Sequence, residues 1–172
     1  MENVIAQVKA VLATTAPYWK TLTETVSVDV LTRRPAPNEW SAMECLQHLV
    51  DTERMVFPAR LHALLAGRDF AAFNPDAQGT APAESLAPAS LAAEFARLRS
   101  ASLAALEQVT EADFPRTARH SELGIVTMAE FLHEWAAHDL NHIVQAGRAV
   151  MQPFIAGCGP WRTYFSDHDL SR

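Results

Sequence analysis

Three features of the sequence predict an all-α fold. Apolar residues recur at three- and four-residue intervals over long stretches, and no stretch sustains strict alternation of apolar and polar residues. Ala and Leu are abundant, while only 6 of the 172 residues are Gly. At this length the chain is most simply one domain, residues 1–172, able to bury a core without disulfide staples.

The first helix is predicted over Glu2–Val26. Val4, Val8, Val11, Thr15, Tyr18 and Leu22 keep the helical spacing, and Ile5, Leu12, Trp19 and Val26 form a second row beside them. The pattern runs through Pro17, which removes a backbone donor and so predicts a kink or short break. Ser27–Leu31 adds one further turn before the stiff connector Arg33-Arg34-Pro35-Ala36-Pro37.

Ser41 is the N-cap expected for the second helix, with Glu44 in capping-box position and Gly67 as the stop after Ala66. Its seam is Met43, Leu46, Val50, Phe57, Leu61 and Leu64. His48 falls off that row, on the flank with Cys45, Thr52, Met55 and Ala59, and periodicity leaves its direction open. Arg68–Pro88 has no period and is the long crossing connection of a bundle. The third helix takes Ser90–Gln108, with Leu91, Phe95, Leu98 and Leu106 inward, and Thr110–Pro115 is a capped single turn. Arg116–Val126 is predicted as a loop. Thr127, with Glu130 three residues on, caps a fourth helix expected to reach about Met151, before Pro153. The tail Phe154–Phe165 is too aromatic for a free end and is expected to pack back across the bundle.

Composition excludes several functions. A net charge of −6 with scattered acidic residues argues against a nucleic-acid partner, which needs clustered Lys and Arg. No apolar run approaches the roughly 20 residues that span a bilayer. The two cysteines, Cys45 and Cys158, form no Cys-x-x-Cys pair, and free thiols without a visible signal peptide point to the cytoplasm.

The fourth helix carries the chemical signal. Met128, Phe131, Trp135, His138, His142 and Ala149 share one stripe, which places two imidazoles where a bundle helix ordinarily carries Leu or Phe. Side chains four apart have β-carbons roughly 5–6 Å from one another, so both rings can reach a single metal ion. A lone core histidine is more often a hydrogen-bonded structural residue; two on one seam weaken that alternative. His62, His120, His133 and His168 are expected to be exposed, with His120 and His133 kept as candidates for the mouth of a site.

The stretch Glu39-Trp40-Ser41-Ala42-Met43-Glu44-Cys45-Leu46-Gln47-His48-Leu49-Val50-Asp51-Thr52-Glu53-Arg54, preceded by Arg34-Pro35-Ala36-Pro37, resembles the first signature of the DinB-like superfamily. His138-x-x-x-His142 followed by Gln145 resembles its second, and the likeness covers nearly the whole chain. The resemblance implies a four-helix bundle of up-down-down-up topology, commonly a homodimer, holding a divalent metal with three histidines. Carried over by position, these are His48, His138 and His142. It also implies thiol S-transferase, thiol-dependent isomerase or metal-dependent hydrolase chemistry on a small molecule.

Three neutral imidazoles leave at least one position open on a Zn, Ni, Fe or Mn ion, where the reactive group would be a water or a substrate thiolate. The reading expected is a metal-dependent enzyme of stress response or detoxification, closer to thiol transfer with a low-molecular-weight thiol than to hydrolysis. Its rival is a non-catalytic binding or dimerisation bundle, in which the metal is structural or absent. Asp51, three residues after His48, is the candidate base, set against an ordinary solvated carboxylate; Glu53 points elsewhere. Trp40, Trp135 and Trp161 line a pocket or belong to the core, and Arg148 meets an anionic substrate or complements the helix dipole.

Overall fold

The computed structural model describes residues 4–74 and 87–170. Its elements are α1 (Val4–Thr25), α2 (Val28–Thr32), α3 (Ala42–Met55), α4 (Phe57–Leu65), α5 (Pro88–Leu106), β1 (Thr117–His120), β2 (Gly124–Thr127) and α6 (Met128–Gly157). Single 3₁₀ segments at Glu111–Asp113 and Gly159–Phe165 flank the last two parts of the chain.

Four helical rods, α1, α3 continued by α4, α5 and α6, make a four-helix bundle. Both α1 and α3 pack against α5 and α6, so the first and second rods lie on one diagonal and the third and fourth on the other. That arrangement puts α3 beside α6, the two elements bearing the three histidines. The long connection begins with residues 66–74 and ends at Ala87; most of the predicted Arg68–Pro88 crossing lies outside the described residues.

Local rules set most element ends. Ser41 accepts from the Glu44 amide at 3.2 Å while Glu44 accepts from the Ser41 amide at 2.8 Å, and Thr127 and Glu130 repeat the box at 3.2 and 2.7 Å. Gly67, at φ +62°, takes the left-handed conformation that stops α4. Five expectations need correction. The second rod is interrupted at Val56, because Pro58 has no amide to continue the ladder into the next turn. At Pro17 no break occurs: α1 continues from Val4 to Thr25, with Thr15 and Trp19 fully buried on either side. Residues 117–127 form an antiparallel hairpin rather than a loop, closed by Gly124 at φ +81°; its four-residue strands are too short to show a period. The fourth helix passes Pro153 and ends at Gly157, held there by buried Ile155. Finally, the tail does return, through bonds between Gln152 and both His168 and Leu170, yet it leaves Phe154, Trp161 and Tyr164 exposed.

The interior has two apolar clusters. One gathers Leu12, Phe57, Leu61, Leu106, Phe131 and Trp135; the other gathers Trp19, Leu46, Leu49, Leu91, Phe95 and Ala146. On every rod a buried polar residue lies between the two sets: Thr15, Glu53, Arg99 with Ser102, and Asp139. Arg99 pairs with Glu53 at 2.6 Å and with Asp139 at 2.8 Å, and Glu53 also accepts from Ser102 and, at 2.9 Å, from the Trp135 indole. The bundle therefore carries a charged layer across its middle, with every carboxylate in it paired to the guanidinium.

Candidate metal centre

The site grows out of that layer. Asp139 points into it from α6, which turns its neighbour His138 and, one turn on, His142 towards α3. On α3 the seam is buried nearly all round, from Ala42 through Glu53, so the flank carrying His48 also faces inward. His48, His138 and His142 each offer a ring nitrogen, and the three atoms lie within 4.8 Å of one another. His48 Nε2 and His138 Nε2 are 3.0 Å apart.

This geometry fits a cation. Nitrogens bound at about 2.0–2.1 Å to one ion stand roughly 3 to 3.4 Å apart, depending on the coordination angle. Between two neutral rings at 3.0 Å, by contrast, at most one proton bridges the pair, and the third ring of the cluster gains no partner from it. His142 Nδ1 is 2.9 Å from Gln145 Oε1; as the carbonyl oxygen can only accept, the proton sits on Nδ1 and the Nε2 lone pair is left for the cluster. Burial keeps the rings neutral. It pushes His48 down to about 4 and His138 down to about 2, with the neighbouring rings adding to the effect, and lowers His142 against the Gln145 bond.

Aromatic rings close the site. Trp40 lies parallel to His142 at 5.7 Å and tilted over His48 at 5.1 Å, while Phe57 meets His138 edge-on at 5.0 Å and Phe73 lies 6.0 Å from His48. Arg34 fixes the connector that bears Trp40, its Nε donating to the capping Glu44 at 2.9 Å. One side remains open: a cavity of about 230 Å³ reaches His48 and His138 between Phe57, Phe73, Arg60 and Glu134.

The structure brings His48, His138 and His142 together. It does not bring Asp51 to them: that carboxylate accepts from Gln47 at 3.0 Å, pairs with Arg54 at 3.5 Å and does not line the cavity. Glu53 is part of the charged layer. Of the tryptophans, Trp40 lines the site, Trp135 belongs to the core and Trp161 is 65% exposed. His62 and His133 are exposed as expected, but His120 is buried, with its ring edge-on to Phe70 at 5.6 Å. Two charged cavity residues escape the sequence reading. Glu134 precedes His138 by four and so shares its face, a signal present in the sequence; the residue as a whole is exposed, and the protein packed around its carboxyl at the cavity raises it above the usual range. Arg60 follows the unforeseen break at Val56, and no spacing rule reaches across it.

A sequence profile of the DinB superfamily matches residues 7–146. Among solved structures, the chain resembles YfiT from Bacillus subtilis, described as a probable metal-dependent hydrolase with an unusual four-helix bundle topology. The TM-score is 0.75 at 18% identity, covering 87% of each chain. It also resembles the DinB-like protein YjoA of the same organism, with a TM-score of 0.55 at 21% identity, covering 84% of this chain and 90% of that one. No curated protein is matched by sequence.

Proposed function

The chain belongs to the DinB superfamily, and on that premise we propose that it is a divalent-metal-dependent enzyme acting on a small molecule, with His48, His138 and His142 as its protein ligands. The observation that carries the reading is the convergence of three neutral imidazoles beside an open cavity. When bound, a Zn, Ni, Fe or Mn ion held by three imidazoles keeps a position free and acts there as a Lewis acid towards a water, a thiol or a carbonyl.

The chain's own residues supply the rest. Gln145 fixes the tautomer and direction of His142. Trp40, Phe57 and Phe73 keep bulk water off the rings. Glu134, which lines the cavity with His48 and His138, takes the proton from the attacking O–H or S–H group at Oε and returns it to the leaving group. The first reading is thiol transfer, with a low-molecular-weight thiol as co-substrate, in detoxification or stress response. The second is hydrolysis, favoured by the description of YfiT as a probable metal-dependent hydrolase. We also propose a cytoplasmic homodimer, whose contact would cover exposed Phe154, Trp161 and Tyr164.

Elemental analysis of untagged protein, before and after incubation with each metal, tests the reading. About one equivalent per chain is expected, lost in His142→Ala with little change in the melting temperature of the metal-free protein. Activity is then assayed on that sample with thiols and electrophiles and, separately, with esters and amides. Protein that takes up none of the ions refutes the enzyme reading. A melting temperature that collapses on metal removal turns it into a structural site.

A further inference from the structure

Among the described residues, Arg60 is the one side chain shared by three neighbouring cavities, one of which reaches the histidines. It lines the cavity reaching His48 and His138, a second of about 190 Å³ walled by Phe70, His120, Leu123 and Phe131, and a third of about 480 Å³ between α4 and residues 68–73. Its guanidinium is poorly provided for. Among the described residues no carboxylate lies within 4.0 Å of it; its Nη2 stands 3.5 Å from the Ala71 carbonyl, and its face lies 5.3 Å from the Phe70 ring. The remaining neighbour is His120 Nε2, at 3.3 Å from Nη2.

That last contact is not a hydrogen bond in the usual sense. The amides of Glu122 and Leu123 both point at His120 Nδ1, at 3.2 and 3.3 Å, so Nδ1 is the accepting nitrogen and the neutral ring carries its proton on Nε2. Arg60 Nη2–H and His120 Nε2–H are therefore two donors brought side by side with no acceptor between them. The arrangement is built, not incidental. Phe70 bridges His120 in parallel fashion, its amide donating to the Arg119 carbonyl at 3.0 Å and its carbonyl accepting from the Ser121 amide at 3.2 Å, and Asp69 accepts from the Arg119 amide at 3.1 Å.

We propose that Arg60 and His120 form an anchor for the carboxylate of a small, partly apolar organic acid, holding it so that the rest of the molecule lies along the cavity towards His48 and His138. Two convergent N–H donors match the two oxygens of a carboxylate. Glu134 lines the same two cavities and acts electrostatically on Arg60, so the pocket offers one cation against one neighbouring carboxyl. A monoanion suits that balance better than a phosphate dianion. Phe70 and Leu123 flank the anchor itself, and Val56, Phe57 and Phe73 give the ligand's body an apolar wall along the way to His48 and His138. The assignment deepens the proposed function by naming its substrate class, and rests on that reading only for the chemistry that follows binding.

The test is direct binding of 4-fluorobenzoate to the full chain, followed by fluorine NMR, with and without Zn²⁺. Binding is expected in metal-free protein, at least tenfold weaker for the uncharged isostere 4-fluorobenzamide. Arg60→Gln should weaken it at least tenfold, with Arg60→Lys in between because it keeps the charge and loses the fork. His120→Asn keeps an acceptor for the Glu122 and Leu123 amides, so the hairpin melts as in the parent, and should weaken binding severalfold. Equal binding of acid and amide overturns the anchor, whether or not Arg60→Gln folds. So does binding that requires Zn²⁺ and ignores both substitutions, which would place the carboxylate on the metal. Displacement by inorganic phosphate at lower concentration overturns the assignment to carboxylates. Failure of the metal reading, seen by elemental analysis, leaves the metal-free result standing.

Discussion

Replacing Arg99 with Met tests whether the charged layer behaves as one ionic unit. Arg99 is 1% exposed, and its partners Glu53 and Asp139 are 0% and 1% exposed. Met keeps much of the aliphatic stem, so the change removes mainly the cation, which lies 4.9 Å over the Phe95 ring, and leaves two buried carboxylates without one. Breaking a buried pair in this way costs about 3–5 kcal/mol, which in a domain of this size lowers the melting temperature by roughly 10 °C or more. The loss should depend on pH. Burial already holds the Glu53 carboxyl above its ordinary value in spite of Arg99, and removing the guanidinium raises it further. A carboxyl raised in the folded state stabilises most below its unfolded value, near 4.5, and that contribution fades as pH rises through the folded value. The deficit of Arg99→Met relative to the parent is therefore expected to be largest at pH 7 and smaller at pH 5. Urea unfolding of both proteins at pH 5, 6 and 7 measures it, and adding Glu53→Gln and Asp139→Asn to the variant should restore part of the loss. A deficit below about 1 kcal/mol, or one equal at all three pH values, refutes the account.

Three further outcomes are expected. Metal-free protein should lose stability as pH falls from 6.5 towards 4. Unfolded imidazoles protonate near 6.5 while buried His48 stays neutral to about 4, so that ring alone removes about 3 kcal/mol over the window; a flat profile in urea melts would contradict this. Gln145→Leu should weaken metal affinity about 10- to 100-fold, read by competition with a chromogenic chelator, with no comparable loss of thermal stability. Cys45, fully buried and pushed up to about 12, should resist iodoacetamide at pH 8 until urea unfolds the chain; rapid alkylation of native protein, seen by mass spectrometry, would show that α3 opens.

How much the sequence disclosed follows the range of the interactions involved. Caps depend on residues three apart, and Ser41 with Glu44 and Thr127 with Glu130 mark both histidine-bearing rods as expected. The pairing of His138 with His142 is equally local. The direction of His48 is not, because α3 is buried on more than one face and only the placement of α5 and α6 decides what each flank meets. Family likeness, not periodicity, pointed to it. Arg99 lies in the same helical register as Leu91, Phe95 and Leu106, where a charge reads as an interruption until Glu53 and Asp139 arrive from two other helices. Arg60 and His120 meet through a hairpin and a bridge to Phe70, contacts 50 and more residues apart in sequence.

The charged layer also acts as a vernier for the bundle. Sliding α6 by a single turn would shift it about 5.4 Å along its axis. That would carry Asp139 beyond reach of Arg99 and drop an ionised group among Leu and Phe, so the helices have one axial alignment in which all three charges are answered. His138 directly abuts Asp139 in the chain, and His48 sits little more than a turn before Glu53. The separation of their ring nitrogens is thus gauged by an ion pair that lies outside the cluster and never touches whatever the rings hold.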